Sequence, residues 1–318
     1  MAFEVPKRDY TGKIKEITLG RGDKAVKVGG ESSFPLYLFE GEMANPPRIA
    51  MEVYDCPPEE WAAAALEPFE DVKDDPVAWA KKCVEQYGAE MIALQLKSTD
   101  PNGLNRSADE AAEVVKKVAD AVDVPLAVWG CDNDEKDAEV LRKVSEVCEG
   151  KQLVIGPVVE GNYKQLGAGA LAYHHTAIAS TPIDINLAKQ LNILLGNLGV
   201  PERQIIIDPT TGGLGYGIEY TYSIMERIRM AALTQEDEKL QLPMLCNMAR
   251  EVWKTKEAKL PQEEAPLLGD PKNRAVMMEA VTAVLLLLAG ADVLVMRHPD
   301  AVRLVRSFTN DLMAPRAS

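Results

Sequence analysis

The strongest constraint on this chain is a pattern that recurs eight times after Pro47: a short apolar run, a loop, an amphipathic helix and then the next run. The runs are residues 48–54, 91–97, 125–129, 153–159, 170–174, 204–208, 243–247 and 292–296. Each is apolar throughout rather than alternating. That is the signature of parallel strands covered on both faces.

The helices between the runs carry boundary signals. Asp75-Pro76, Thr181-Pro182 and Asp270-Pro271 each set a capping oxygen before a proline whose missing N–H costs nothing in a first turn. Ser107 with Glu110 three residues on has the form of a capping box. Val77, Ala80, Val84 and Tyr87 share one helical face, with Gly88 as the stop, and Ala111, Val115, Val118 and Val122 share another. Gly150, Gly169, Gly199 and Gly290 fall between a helix and the next run.

Eight strand–helix units with right-handed crossovers close most naturally into a (β/α)8 TIM barrel, and 318 residues suit one. A doubly wound sheet would more often show a Gly-rich turn after its first strand, where this chain has Tyr54-Asp55-Cys56-Pro57-Pro58. The weak unit is the fourth, in which only residues 162–166 remain for a helix. Residues 1–45 stand apart from the barrel at 46–318: segments 13–19 and 25–28 alternate around Gly20-Arg21-Gly22-Asp23, which reads as a β-hairpin covering the bottom of the barrel. The charged segment 255–269 is a long loop after the seventh run, a length usually kept for function.

A net charge of −14 argues against nucleic acid and against anionic membrane surfaces as partners. The greasiest stretch, 280–291, is too short to span a bilayer and is bounded by Glu279 and Asp292. Met1 to Lys13 has charges and a proline in place of a signal-peptide core. Five scattered cysteines without a C-x-x-C pair fit free thiols in a reduced cytoplasm and count against an iron–sulfur cluster held by this chain alone.

Ligands of such barrels sit over the carboxyl ends of the strands. That places Asp55, Lys97, Trp129, Glu160, His174, His175, Asp208, Asn247, Arg297 and His298 at the mouth. Lys97 is either a Schiff-base lysine or an ion-paired one. A zinc site would need all three histidines to converge, so His174 is read as a polar lining residue facing a ligand. The most informative stretch is 208–217, where a buried run ends on Asp208 and continues Pro209-Thr210-Thr211-Gly212-Gly213-Leu214-Gly215-Tyr216-Gly217. Glycines let the backbone approach a ligand, and threonine hydroxyls with free N–H groups supply hydrogen bonds; a mobile turn capping the next helix is the alternative.

This stretch, continuing through Ile218-Glu219-Tyr220 to Ser223-Ile224-Met225-Glu226-Arg227-Ile228-Arg229, resembles the small (delta) subunit of the corrinoid iron–sulfur protein of the CO dehydrogenase/acetyl-CoA synthase system. Leu96-Lys97-Ser98-Thr99-Asp100-Pro101-Asn102, Gly156-Pro157-Val158-Val159-Glu160-Gly161-Asn162-Tyr163-Lys164 and Asp184-Ile185-Asn186-Leu187-Ala188-Lys189-Gln190-Leu191-Asn192 match in the same order.

The resemblance implies a barrel subunit paired with a large subunit that carries the iron–sulfur cluster and most of the cobalamin (corrinoid) pocket. It implies a methyl carrier between a methyltetrahydrofolate methyltransferase and acetyl-CoA synthase, and a subunit rather than an enzyme by itself. Asp208, Thr210, Thr211, Gly212, Gly213, His174 and Asn247 are then expected to meet the corrinoid, with no metal ligand on this chain. A pterin-dependent methyltransferase on the same barrel, recruiting Asp55, Asp208 and Asn247, is the alternative.

Overall fold

The computed structural model describes residues 6–314. A small antiparallel hairpin, β1 (Ile17–Leu19) and β2 (Val26–Val28), comes first. The repeat then runs β3 (Arg48–Tyr54), α1 (Ala63–Leu66), α2 (Pro76–Glu85), β4 (Met91–Gln95), α3 (Ala108–Ala121), β5 (Leu126–Trp129), α4 (Asp134–Val147), β6 (Val154–Val158), α5 (Tyr163–Tyr173), β7 (Thr176–Ser180), α6 (Ile185–Asn197) and β8 (Ile205–Asp208). It finishes with α7 (Ile218–Thr234), β9 (Leu245–Asn247), α8 (Ala249–Trp253), α9 (Lys256–Lys259), α10 (Pro271–Ala289), β10 (Val293–Met296) and α11 (Pro299–Met313).

The eight strands β3–β10 are parallel, in the order β8-β7-β6-β5-β4-β3-β10-β9. A parallel bridge from Ile207 to Met244 and a hydrogen bond from the Ile207 N–H to the Pro243 carbonyl (2.9 Å) bring β8 against β9 and all but close the barrel. Strand alternation divides the buried apolar residues into two cores. Ile49, Met51 and Val53 of β3 pack outward under the helices, while Ala50, Ala93, Ala127, Ile178, Ile206 and Leu245 fill the barrel interior. Ile17, Leu19, Val26 and Val28 of the hairpin belong to that interior core, so the hairpin seals the amino-terminal end of the barrel.

Most helix starts match the sequence signals. Asp75 accepts from the Val77 and Ala78 N–H groups, Ser107 and Glu110 form the reciprocal capping box, and Asp270 caps α10. Two expectations need correction. The fifth barrel strand is Thr176–Ser180, not 170–174, and Gly169 lies inside a helix, α5, that occupies Tyr163–Tyr173. Its glycines, Gly167 and Gly169, have poor intrinsic helix propensity, and tertiary packing overrides it. A Cβ at Gly167 would sit 2.8 Å from Leu198 Cδ2 and 2.9 Å from Leu195 Cδ2, so the small residue is what lets α5 approach its neighbour. Thr181-Pro182 does not cap a helix either: α6 starts at Ile185, and Asp184 accepts from the Asn186 (2.7 Å) and Leu187 (3.0 Å) N–H groups. Among the described residues, no helix is long and apolar enough to cross a membrane.

Candidate functional site at the barrel mouth

The alternation that buries small apolar residues inside the barrel sends Glu52, Tyr54, Gln95, Trp129, Ser180, Asp208 and Asn247 inward at its carboxyl end. The topmost interior layer is therefore polar. Glu52 accepts from Arg297 Nε (2.6 Å), and the Arg297 guanidinium lies 3.7 Å from the centroid of the Trp61 ring. Gln95 Nε2 donates to Asn247 Oδ1 (3.2 Å) across the barrel. Asp132, just past β5, accepts from Arg250 and from Lys97 Nζ (3.2 Å). Burial alone would raise this carboxyl, but the two cations outweigh it and hold it below the usual range.

The Asp132–Arg250 pair lines two cavities. One, of about 630 Å³, also has Tyr54, Trp61, Lys97, Trp253 and Arg297 in its wall. The other, of about 280 Å³, is lined by Trp129, Ser180, Thr181, Asp208, Thr211 and Asn247 among others. Asp208 Oδ1 accepts from the Thr210 N–H (3.0 Å). Burial pushes the Asp208 carboxyl up to about 6, even though the Ser180 hydroxyl and the Thr210 N–H pull the other way. Thr210 donates its hydroxyl hydrogen to the Thr181 carbonyl (2.8 Å), leaving Thr211 as the free hydroxyl of the pair.

The glycine loop has a firm base. Thr221 Oγ1 accepts from the Gly212 N–H (3.2 Å) and lies 3.3 Å from the Thr210 carbonyl, tying the loop to α7. Gly213 has φ +72°, and a Cβ there would meet the Gly217 backbone at 2.7 Å, so only glycine fits. Gly212 is different: the nearest atom to an added Cβ is Ile183 Cδ1, at 3.6 Å.

Of the residues singled out in the sequence, Asp208, Thr210, Thr211 and Asn247 line one cavity. Gly212 and Gly213 lie in the adjoining loop and are not part of its wall. His174 is not at the mouth. It is the exposed carboxyl-terminal cap of α5 (φ +59°), before β7 begins and hence at the opposite end of the barrel. The six-residue displacement of the strand accounts for the misplacement. His175 is buried below β7, where its Nδ1 accepts from the Leu153 N–H (3.1 Å) and its Nε2 lies 3.0 Å from the Ser145 carbonyl.

Asp55 and His298 are occupied by structural bonds. Asp55 accepts from the Ser98 N–H (2.9 Å) and hydroxyl, which joins the ends of β3 and β4. His298 accepts from the Asp300 N–H (3.1 Å) and caps α11. Lys97 is engaged by Asp132, and Glu160 is exposed. The sequence reading passed over Gln95, Asp132, Ser180, Thr181 and Arg250. Ser180 and Thr181 were hidden by the displaced strand; Asp132 and Arg250 lie three residues beyond strand ends, Asp132 on a loop and Arg250 in the short helix α8, and no strand alternation turns them inward. The five cysteines are buried and unpaired, and burial pushes the Cys56 and Cys131 thiols up to about 12 and about 11.

The barrel resembles solved dihydropteroate synthases. One from Xanthomonas albilineans, in complex with indole-2-carboxylic acid and 6-chloroguanine, aligns with a TM-score of 0.59 and 16% identity, covering 86% of this chain and 96% of that one. One from Vibrio fischeri aligns with a TM-score of 0.58 and 14% identity, covering 87% and 97%. Identities this low establish the barrel fold alone. Sequence relatives are nearer. The acetyl-CoA decarbonylase/synthase complex subunit delta of Archaeoglobus fulgidus is 37% identical over 98% of this chain and 71% of its own length. That of Methanothermobacter thermautotrophicus is 36% identical over 98% and 80%, and subunit delta 1 of Methanosarcina thermophila is 38% identical over 96% and 72%. Residues 16–311 match the family described as CO dehydrogenase/acetyl-CoA synthase delta subunit. With nearly the whole barrel matched, and with relatives above 30% identity along most of their length, the chain belongs to the CO dehydrogenase/acetyl-CoA synthase delta subunit family.

Proposed function

We propose that this chain is the barrel subunit of a corrinoid iron–sulfur methyl carrier, which moves a methyl group from a methyltetrahydrofolate methyltransferase to acetyl-CoA synthase. A large subunit carries the iron–sulfur cluster and most of the corrinoid pocket, and this barrel covers one face of the corrinoid with its mouth. Family membership supports the role, and one observation supports the orientation. Leu104, Tyr216, Leu267 and Leu268 on loops at the carboxyl end of the barrel, with Tyr220 in the first turn of α7, are exposed large apolar side chains; others lie elsewhere, among them Tyr37, Leu38 and Phe39 in the amino-terminal segment. Leu267 is 99% exposed and Tyr216 88%, a rim that water does not favour and a partner surface would cover.

The residues inside that rim fit a corrinoid. Its peripheral amides are neutral donors and acceptors, and Thr211 Oγ1 and Thr181 Oγ1 are buried hydroxyls without a hydrogen-bond partner among the described residues. Gly212 leaves the backbone open to close approach. When bound, the corrinoid supplies the methyl-carrying chemistry; Thr211 and the backbone at Gly212 orient its edge, and the apolar rim excludes water. Asp208 and Asn247 sit deeper in the mouth, and His174, at the far end of the barrel, has no part in it.

Gly212→Val tests the orientation, because Gly212 has room for a side chain while Gly213 does not. Expressed anaerobically with the large subunit, the variant should keep the wild-type melting temperature and assemble into a one-to-one heterodimer by sedimentation. It should retain at most about a tenth of the cobalt, since a branched side chain blocks close backbone approach. Cobalt content and methyl-transfer rate equal to wild type would overturn the orientation.

A further inference from the structure

Far from the mouth, another cavity carries more positive charge in its wall than its neighbours cancel. It opens at the amino-terminal end of the barrel, where Arg48, the first residue of β3, meets the last turn of α10 and one face of α11. Arg48, Glu90 and Arg306 are the charged residues lining it, two guanidiniums against one carboxylate. Glu90 is engaged by Arg48, whose Nη1 donates to Glu90 Oε1 (2.9 Å). Arg306 has neutral partners: Nη1 donates to the Tyr87 carbonyl (2.8 Å) and Nη2 to the Gly88 carbonyl (2.6 Å), just past the end of α2.

Two observations mark this charge as incompletely matched. Arg48 Nε is buried without a hydrogen-bond partner among the described residues, whereas buried polar atoms in native proteins are nearly always satisfied, by protein, water or ligand. Burial pulls the Arg306 guanidinium below its ordinary value, and the Glu90 carboxylate opposes the shift. The cavity therefore suits an anion. Much of the remaining wall is apolar, made by Pro46, Pro47, Ile49, Leu287 and Val305. A hydrated phosphate gains nothing from such a wall, and an alkyl chain does. At about 180 Å³ the space is smaller than the ~300–1,000 Å³ of ordinary ligand pockets, so its occupant has few atoms.

We propose that this cavity binds a short aliphatic carboxylate, with its oxygens on the Arg48 guanidinium and its chain against the prolines, Leu287 and Val305. A guanidinium presents two parallel N–H groups along the edge from Nε to Nη2, which matches the two oxygens of a carboxylate. Glu90 takes Nη1, so that edge is the one left over. Nε is covered by protein, and a turn of the guanidinium brings its edge to the ligand. Arg306, in the same wall, supplies the second positive charge. The proposal does not rest on the carrier role: the cavity lies at the opposite end of the barrel from the mouth and shares no lining residue with the two cavities there.

Saturation-transfer NMR on the ligand methyl resonance, with the full chain at constant ionic strength, tests the proposal. The probes are acetate, propionate and butyrate. Butyramide has the shape of butyrate without its charge, and inorganic phosphate, read as a competitor, has the charge without the chain. Saturable butyrate binding in the millimolar range is expected, at least about tenfold tighter than butyramide. Affinity should rise about fourfold for each methylene buried from acetate to butyrate. Arg48→Met should weaken butyrate binding at least about tenfold. Asn310→Asp is the second variant, at an exposed position of α11 that also lines the cavity. It sets a carboxylate beside the ligand and should weaken binding severalfold with an unchanged melting temperature, so the test survives if Arg48→Met fails to fold. Absence of saturable binding at tens of millimolar, equal affinity for butyramide, no gain from acetate to butyrate, phosphate binding tighter than butyrate, or wild-type affinity in Asn310→Asp would overturn the proposal.

Discussion

Arg229→Met unfolds at a lower urea midpoint than the wild type, with a loss of about 3–5 kcal/mol, the usual result of removing one partner from a buried ion pair. Arg229 is fully buried in α7 and pairs with Asp292, which is 1% exposed. It also donates from Nη1 to the Leu242 carbonyl (3.1 Å) and from Nε to the Gly290 carbonyl (3.1 Å). One guanidinium thus holds together the entries to β9 and β10. Gly290 is fitted to it: φ is +123°, and a Cβ would lie 2.6 Å from Arg229 Cγ.

Without the arginine, Asp292 keeps the Met244 N–H (2.6 Å) as a donor but loses its countercharge. Glu31, from the amino-terminal segment, cannot replace that charge: a carboxyl is neutral or negative, and burial and the neighbouring Asp292 hold this one well above the usual range. Arg229→Lys should recover part of the loss, since a point charge restores the pairing but not the forked bonds to the carbonyls. A midpoint shift equivalent to less than about 1 kcal/mol in Arg229→Met, within the usual range of a lost exposed pair, would show that the cluster is not buried in solution.

Glu279→Gln should destabilise the mouth in a pH-dependent way. Three N–H groups converge on the Glu279 carboxyl: Trp253 Nε1 (2.9 Å), the His298 backbone (3.1 Å) and the Arg297 backbone. An amide has one acceptor oxygen, so at least one donor is left facing an N–H₂ group, at a cost of about 1–3 kcal/mol. The carboxyl is raised by burial from 4.5 to about 7. A group whose folded value is raised contributes stability that is complete below its unfolded value and disappears as the pH climbs through the folded one. The window is therefore pH 4.5 to about 7.

The advantage of wild type over Glu279→Gln should accordingly be largest at the acid end and shrink by about 3 kcal/mol across that window. Asp208, also raised by burial, titrates in both proteins and cancels from the difference. Urea midpoints at pH 5, 6, 7 and 8 measure the gap. A gap constant with pH would mean that Glu279 is ionised throughout, held by its three donors against burial.

What could be read from the sequence was what depends on neighbours along the chain. The number of strand–helix units follows from the apolar runs and the amphipathic faces between them, and a strand such as Ile205–Asp208 announces itself because four consecutive positions are buried and three are β-branched. The caps at Asp75, Ser107 and Asp270 are equally local, since each oxygen serves N–H groups two or three residues on. Family blocks such as 208–220 were legible for the same reason.

Tertiary structure decided the rest. Thr176-Ala177-Ile178-Ala179-Ser180 has little strand signal, and becomes one because parallel partners on both sides, β6 and β8, supply its hydrogen bonds; the glycine-containing segment before it is held as helix by packing, with Gly167 letting it lie close against Leu195 and Leu198. That one displacement took His174 away from the mouth and brought Ser180 and Thr181 to it. Contacts such as Asp132 to Arg250, 118 residues apart, or Gln95 to Asn247, 152 apart, leave no trace in local composition. They exist because a closed barrel brings distant strand ends to one level, and only there does a polar side chain acquire, or lack, a partner.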